Sequence, residues 1–149
     1  MVKDLSFEEK STIGTLLITS VIGALYLRSA WQLWQAEQLH VASMTGLAIG
    51  LTIFLVIVLI TYHIMVAVIT RPQREDERDR LIAWRAGSIG GMVLGIGVIG
   101  VVLQILFGGL LGHPGADSPV LIANALMIVV FAATLVELAM KLVFYRRGV

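Results

Sequence analysis

Residues 46–70 read GLAIGLTIFLVIVLITYHIMVAVIT, a run with no Asp, Glu, Lys or Arg. A helix rises 1.5 Å per residue, so about 20 apolar residues cross a hydrocarbon core about 30 Å thick. The run is long enough and lacks the alternation of a barrel strand. A helix is the other structure that satisfies every backbone group in lipid. Three further stretches meet the same test: 13–33, interrupted by Arg28; 86–111, rich in glycine; and 120–144, with one acid, Glu137.

The composition agrees. Of 149 residues, 58% are hydrophobic and 14% charged, with a mean hydropathy of +0.91. Soluble domains carry about 25% charged residues, so a chain of this size cannot hide so much apolar surface from water. The absence of cysteine excludes disulfides, thiolate metal sites and redox-active Cys pairs. A net charge of +1 argues against nucleic acid as a partner. The expectation is a single all-α membrane domain over 1–149. It is an integral four-helix transmembrane bundle with short loops and helices over 7–34, 45–70, 75–111 and 119–145.

Local signals set the helix ends. Ser6 and Glu9 form a Ser-x-x-Glu capping box ahead of the first helix. Arg71-Pro72 stops the second, because proline disfavours helix at the residue before it. His113-Pro114-Gly115 makes a tight turn. Ser118 is the expected N-cap of the fourth helix, with Pro119 at its first position. The first apolar stretch is too long for a cleaved leader, and Trp31 and Trp34 stand where small residues would mark a cleavage site, so the span reads as retained.

Orientation follows from the basic residues. Lys3, Lys10, Arg71, Arg74, Arg78, Arg80, Arg85, Lys141, Arg146 and Arg147 fall on one side of the spans and Arg28 on the other. The positive-inside rule then places both termini and the middle loop in the cytoplasm, with the spans in the inner membrane. Trp31 and Trp34 mark the outer interface, and Trp84 and Tyr145 the inner one.

Lipid gives helices no hydrophobic reason to associate, so small and polar residues decide which faces meet. In the first helix Thr12, Thr15, Thr19, Gly23, Tyr26 and Ala30 recur at helical spacing on one face. The third helix carries two small-residue rows: Ala83, Gly87, Gly91 and Gly95, then Gly97, Gly100, Gln104 and Gly108. Two such rows predict close neighbours on both sides and a central position for this helix. Gly87, Gly91, Gly95, Gly97 and Gly100 are the expected packing residues. No phosphate-binding turn can form inside a lipid-embedded helix, so these glycines are not a dinucleotide motif.

Charged groups in lipid are costly, about 2.5–3.5 kcal/mol at the centre on insertion scales, and each needs a reason. Thr45, Thr52, His63 and Thr70 share one stripe of the second helix, which is expected to look into the bundle. His63 precedes Arg71 by eight residues and Glu137 precedes Arg146 by nine. At the standard rise both lie about 12–14 Å inside the inner boundary, on parallel helices. They can meet as a pair for proton transfer or as an anchor for a headgroup such as a quinone's. The plainer reading is favoured: Glu137 and Lys141 are four apart in the preferred order, with Lys141 snorkelling to the interface. His63, Glu137 and Lys141 are thus the candidate intramembrane polar site. A metal site wants three or four convergent ligands, and His40 and His113 lie on the outer side, so neither a metal nor a cofactor is expected.

The segment from Arg71 to Arg80 is the one sizeable polar stretch. Glu75 with Arg78 and Asp76 with Arg80 have helical pair spacing, so the third helix is expected to begin near Glu75. Arg74, Asp76, Glu77, Arg78, Asp79 and Arg80 offer a candidate docking surface. Asp76-Glu77-Arg78-Asp79, Leu81-Ile82 and Arg85-Ala86-Gly87 together resemble a group of small prokaryotic four-helix predicted membrane proteins of unknown function. The resemblance implies a four-helix layout and no catalytic pattern. The chain does not match small multidrug transporters, whose essential glutamate lies in the first helix.

These observations lead to the expectation of a multi-pass protein that works by association, as a homo-oligomer or an accessory or regulatory subunit of a larger membrane complex, and not as an enzyme. Two alternatives stay open: a small proton-coupled transporter or channel using Glu137 and His63, and a quinone- or lipid-binding subunit.

Overall fold

The computed structural model describes residues 7–70, 76–113 and 118–147. It is all-α, with α1 (Phe7–Gln35), α2 (Val41–Thr70), α3 (Glu77–Leu110) and α4 (Pro119–Arg147). All four are long and apolar enough to cross a membrane. Ser6, the Arg71-Pro72 stop, Arg74, Glu75 and the Pro114-Gly115 turn lie outside the described residues.

Capping chemistry sets the ends that differ from expectation. α2 starts at Val41 rather than at 45, because the Ser43 hydroxyl accepts the His40 N–H at 3.3 Å and donates to the Gln38 carbonyl at 2.6 Å. That satisfies groups the first turn would otherwise leave bare. α3 starts at Glu77, not 75: Asp76 has extended backbone and caps the helix, its carboxylate accepting the Glu77 N–H at 2.7 Å. α4 starts as expected, with the Ile122 N–H on the Ser118 carbonyl at 3.0 Å and Pro119 in the first turn.

Two helices end alike. After α1 the Gln38 N–H reaches the Leu33 carbonyl at 2.9 Å and the Glu37 N–H the Trp34 carbonyl at 3.0 Å. After α3 the His113 and Gly112 N–H groups bond the Gly108 and Gly109 carbonyls at 2.9 and 3.3 Å. Both are Schellman closures needing a left-handed residue, supplied by Gly112 (φ 66°) and, less comfortably, by Glu37 (φ 57°).

The helices form an open row in the order α2, α1, α4, α3. α1 packs against α2 and α4, α3 packs against α4, and α2 touches α4 only lightly. α2 and α3 share no packed interface, although they are consecutive in the chain. The expected central position of α3 is therefore corrected: α3 is an end helix, and α4 is held between α1 and α3. α4 accordingly exposes two opposite faces. One carries Leu121, Ile128, Ala132 and Ala139, and the other Pro119, Ala123, Val130 and Glu137.

The α3–α4 contact explains the correction. Ala86, Gly90, Val101 and Gly108 are buried, with Gly97 half-buried on the same seam. Their spacings alternate four and seven, which holds one face, whereas steps of four drift about 40° each time. The row Ala83, Gly87, Gly91, Gly95 thus winds off the interface. A Cβ on Gly90 would stand 2.8 Å from the Glu137 Cβ and 3.3 Å from the Ala133 carbonyl oxygen, and one on Gly97 would collide with Val129. A Cβ on Gly87 would lie 3.8 Å from a Glu137 carboxylate oxygen, while Gly91, Gly95 and Gly100 have open space. Of the five expected packing glycines, Gly87 and Gly97 face α4 within the chain, Gly91, Gly95 and Gly100 do not, and Gly90 joins the seam unforeseen.

The α1 face behaves as its spacing predicts. Thr12, Thr19, Gly23, Tyr26 and Ala30 are buried, joined by Ile22, with Thr15 half-buried. Tyr26 is fully enclosed and forms a core with Ala30, Met44 and Val120 at the end of the bundle that holds the α1–α2 turn.

Glycine at the seam gives a test of opposite signs. Gly97→Ala should lower stability by about 1–3 kcal/mol through overpacking against Val129. Gly91→Ala should be neutral or raise it by up to about 1 kcal/mol, because alanine is the better helix former and the position is open. Thermal unfolding in mild detergent measures both.

Candidate functional site

Polar side chains inside the spans fall into two groups, those satisfied locally and those that tie helices together. The first group includes Thr12, Thr15, Ser20, Thr61 and Thr134, whose hydroxyls each donate to the carbonyl four residues earlier at 2.7–2.9 Å. Such back-bonding satisfies a hydroxyl where no water is present. The second group pins α1 to its neighbours. Towards the end of the bundle with the α1–α2 turn the Tyr26 hydroxyl donates to the Asn124 side-chain oxygen at 2.9 Å, with its ring tilted against Phe131 at 5.8 Å. Towards the other end the Tyr62 hydroxyl donates to the Lys10 carbonyl at 2.7 Å, its ring lying on Gly14. There too Lys141 pairs with Glu8 at 3.1 Å, both side chains about three-quarters buried. The Tyr145 hydroxyl is shut away from solvent beside the Asp79 carboxylate, with Glu8 and Glu9 near it.

The candidate triad His63, Glu137 and Lys141 is therefore not assembled as one unit. Lys141 turns to Glu8 on α1 instead of back to Glu137, since a cross-helix carboxylate at the polar end is easier to solvate than one deeper in the span. The His63 Nδ1–H donates to the Leu59 carbonyl at 2.8 Å, and its ring sits edge-on to Tyr62. Because a carbonyl only accepts, this bond fixes the tautomer and leaves Nε2 as an acceptor. Glu137 arches over Gly87 and Gly90 of α3 and has no hydrogen bond or ion pair among the described residues.

The polar stripe of α2 also needs correction. Thr45, Thr52 and His63 are exposed, whereas the face towards α1 holds Met44, Leu47, Leu51, Leu55 and Tyr62. The stripe does not look into packed interior; it looks along the open side between α2 and α4. Thr45 lines a cavity of about 370 Å³ there, with Tyr26, Met44, Ala48, Ala123 and Met127. His63 follows Thr45 by 18 residues, five full turns, and so has the same angular position. Glu137 follows Ala123 at two steps of seven through Val130, on the exposed face of α4 that the same cavity touches.

The two groups are also nearly level. Tyr62, beside His63, bonds Lys10 and covers Gly14. Lys141, one turn beyond Glu137, bonds Glu8. Measured along α1, His63 and Glu137 therefore lie within about one helical turn of each other in depth. The open side holds an apolar cavity towards the α1–α2 turn; nearer the other end His63 is exposed on α2 and Glu137 on α4, the carboxylate resting against Gly87 and Gly90 of α3.

Of the candidate docking loop, Asp76 is used as the α3 cap; Glu77, Arg78 and Arg80 are exposed and Asp79 half-buried. Among the described residues no group of three His, Asp or Glu converges as metal ligands.

The sequence reading missed Glu8–Lys141, Tyr26–Asn124 and Tyr62–Lys10. The first two pair ordinary complementary groups at opposite ends of α1 and α4, and only knowledge that these helices are neighbours would have joined them. Tyr26→Phe should cost about 1–2 kcal/mol by leaving Asn124 without its partner in lipid. Asn124→Ala added to it should cost little more, as a double-mutant cycle by thermal unfolding would show. Lys141→Met should cost up to about 1 kcal/mol at low salt and less at high salt, since the pair lies near the interface.

Comparison with known proteins finds no family model that matches the chain, no similar curated protein and no similar solved structure.

Proposed function

We propose that this chain is a multi-pass protein of the inner membrane, with both termini cytoplasmic, that acts by lateral association in the bilayer and not by a reaction of its own. It serves as a homo-oligomer or as an accessory or regulatory subunit of a larger membrane complex. One observation carries the reading: among the described residues Glu137 makes no hydrogen bond or ion pair and His63 bonds only the Leu59 carbonyl, although both stand exposed on long apolar helices. A carboxylate facing hydrocarbon is expensive, so a chain that keeps one there needs something to cover it. The tight α1–α2 turn and the basic residues gathered on one side of the spans fit a compact integral protein.

A second reading rests on the cavity lined by Tyr26, Thr45 and Ala123, which opens sideways between α2 and α4 and is almost wholly apolar. Its size suits part of an acyl or isoprenoid chain, so lipid or quinone binding is the alternative.

Native mass measurement in mild detergent separates the two. Association predicts a mass of two or more copies, or of this chain with another protein; ligand binding predicts one chain with a bound lipophile. The topology has its own test, because a cysteine-free chain accepts single cysteines as reporters. Cysteine at Ser43 should react with an impermeant thiol reagent in intact cells and cysteine at Gln73 should not. The reverse pattern would invert the proposed orientation.

A further inference from the structure

We propose that the open side is covered by a second copy of this chain, with His63 of each copy meeting Glu137 of the other. This deepens the association reading and rests on it.

Among the described residues Glu137 makes no hydrogen bond or ion pair, and His63 uses Nδ1 locally while Nε2 makes no hydrogen bond. Each group is what the other needs. One proton between them, on the imidazole or on the carboxyl, makes a hydrogen bond in either placement. Within the chain the two lie on opposite walls of a groove where α2 and α4 touch only lightly, and they form no bond.

Symmetry supplies the rest. Two copies inserted with the same orientation can be related by a twofold axis along the membrane normal, and such an axis leaves the depth of every residue unchanged. A pair can then form reciprocally only if its two members lie at one depth, and His63 and Glu137 do so within about one turn. They must also share one patch, because a twofold interface uses the same surface on both copies. Both are exposed, His63 on the α2 face that carries Thr45 and Glu137 on the α4 face that carries Ala123, at the edge where its carboxylate rests against Gly87 and Gly90 of α3. With the axis between α2 and α4, each α2 enters the groove over the other copy's α4. Thr45 and Thr52 then run beside Ala123 and Val130, both exposed, whose seven-residue spacing keeps them on one face of a helix packed parallel to α2. The contact makes two His63–Glu137 bonds and removes both unpartnered groups from lipid. A lone lipophile in the outer cavity would leave the histidine and the carboxylate uncovered.

Two tagged copies are co-expressed, one with Thr52→Cys and the other with Val130→Cys, and membranes are treated with a short bismaleimide. The expected result is a cross-tag dimer from this combination and none when Gly91→Cys or Gly46→Cys replaces either. In liposomes, His63→Leu and Glu137→Leu should each weaken self-association, followed by energy transfer between labelled copies, about tenfold or more, since each variant removes two hydrogen bonds per dimer. The double variant should be no weaker than the worse single one. His63→Leu should leave the melting of the dispersed monomer unchanged; Glu137 packs over Gly87 and Gly90, so Glu137→Gln, which keeps that packing, is the variant of the acid whose monomer melting should not fall. Cross-linking through Gly91 or Gly46 instead, or unchanged affinity in both single variants, overturns the interface while leaving association intact. A mass of one copy with a different protein overturns it in the same way. A mass of one chain with no protein partner overturns both.

Discussion

A polar side chain among apolar ones needs a hydrogen-bond partner, and the layout of these four membrane-length helices follows from where each polar group finds one. The threonines and serines solve the problem alone, by turning back on their own helix. Tyr26, Asn124, Tyr62, Lys141 and Glu8 solve it by crossing between helices, and each of those crossings involves α1 or ends on it. α1 is therefore the polar spine. The α3–α4 contact works differently, through the close approach that Gly90 and Gly97 permit, where dispersion between tightly packed surfaces replaces hydrogen bonding. The two kinds of contact meet on α4, which is bonded to α1 on one side and closely packed on α3 on the other.

Much of this was legible in the sequence. Four apolar runs of membrane length gave four helices, and Pro119 and the α1 stripe gave one helix end and one buried face. The α1 stripe was readable because its residues differ in kind from their surroundings, small or polar among aliphatic ones. α3 was misread for the opposite reason. It holds so many glycines that several rows can be drawn, and the row at steps of four looked as good as the true seam. Only the drift of a four-step row around the helix separates them, and that drift becomes decisive over a helix as long as Glu77–Leu110. The candidate site suffered from a related ambiguity. Spacing and depth put His63 and Glu137 on matching levels, and the structure keeps them there. Helical periodicity states which residues share a face, not which face meets a neighbour, so it could not say that the α2 stripe looks along an open groove. Nor could it give Lys141 its partner, because the choice between Glu137 and Glu8 depends on where α1 stands.

The open row has a consequence for function. A closed four-helix bundle buries its polar groups among its own helices and presents an apolar exterior. Here α2 and α3 stay apart, and the open side between α2 and α4 carries a cavity towards one end and exposed ionisable side chains, His63 and Glu137, towards the other. Such a surface is incomplete by its own chemistry. Whatever covers it must be apolar over most of its length and must answer a carboxylate and an imidazole near one end.

The account stands on α4 having two exposed faces, and oxygen accessibility of spin labels placed in turn along α4 of the dispersed monomer tests this most directly. The account predicts high accessibility at Ile128, Ala132 and Ala139 and again at Ala123 and Val130, with Met127, Phe131 and Ala133 shielded. Accessibility confined to the Ile128, Ala132 and Ala139 face, with Ala123 and Val130 shielded by α2 and α3, would show a closed bundle and contradict it.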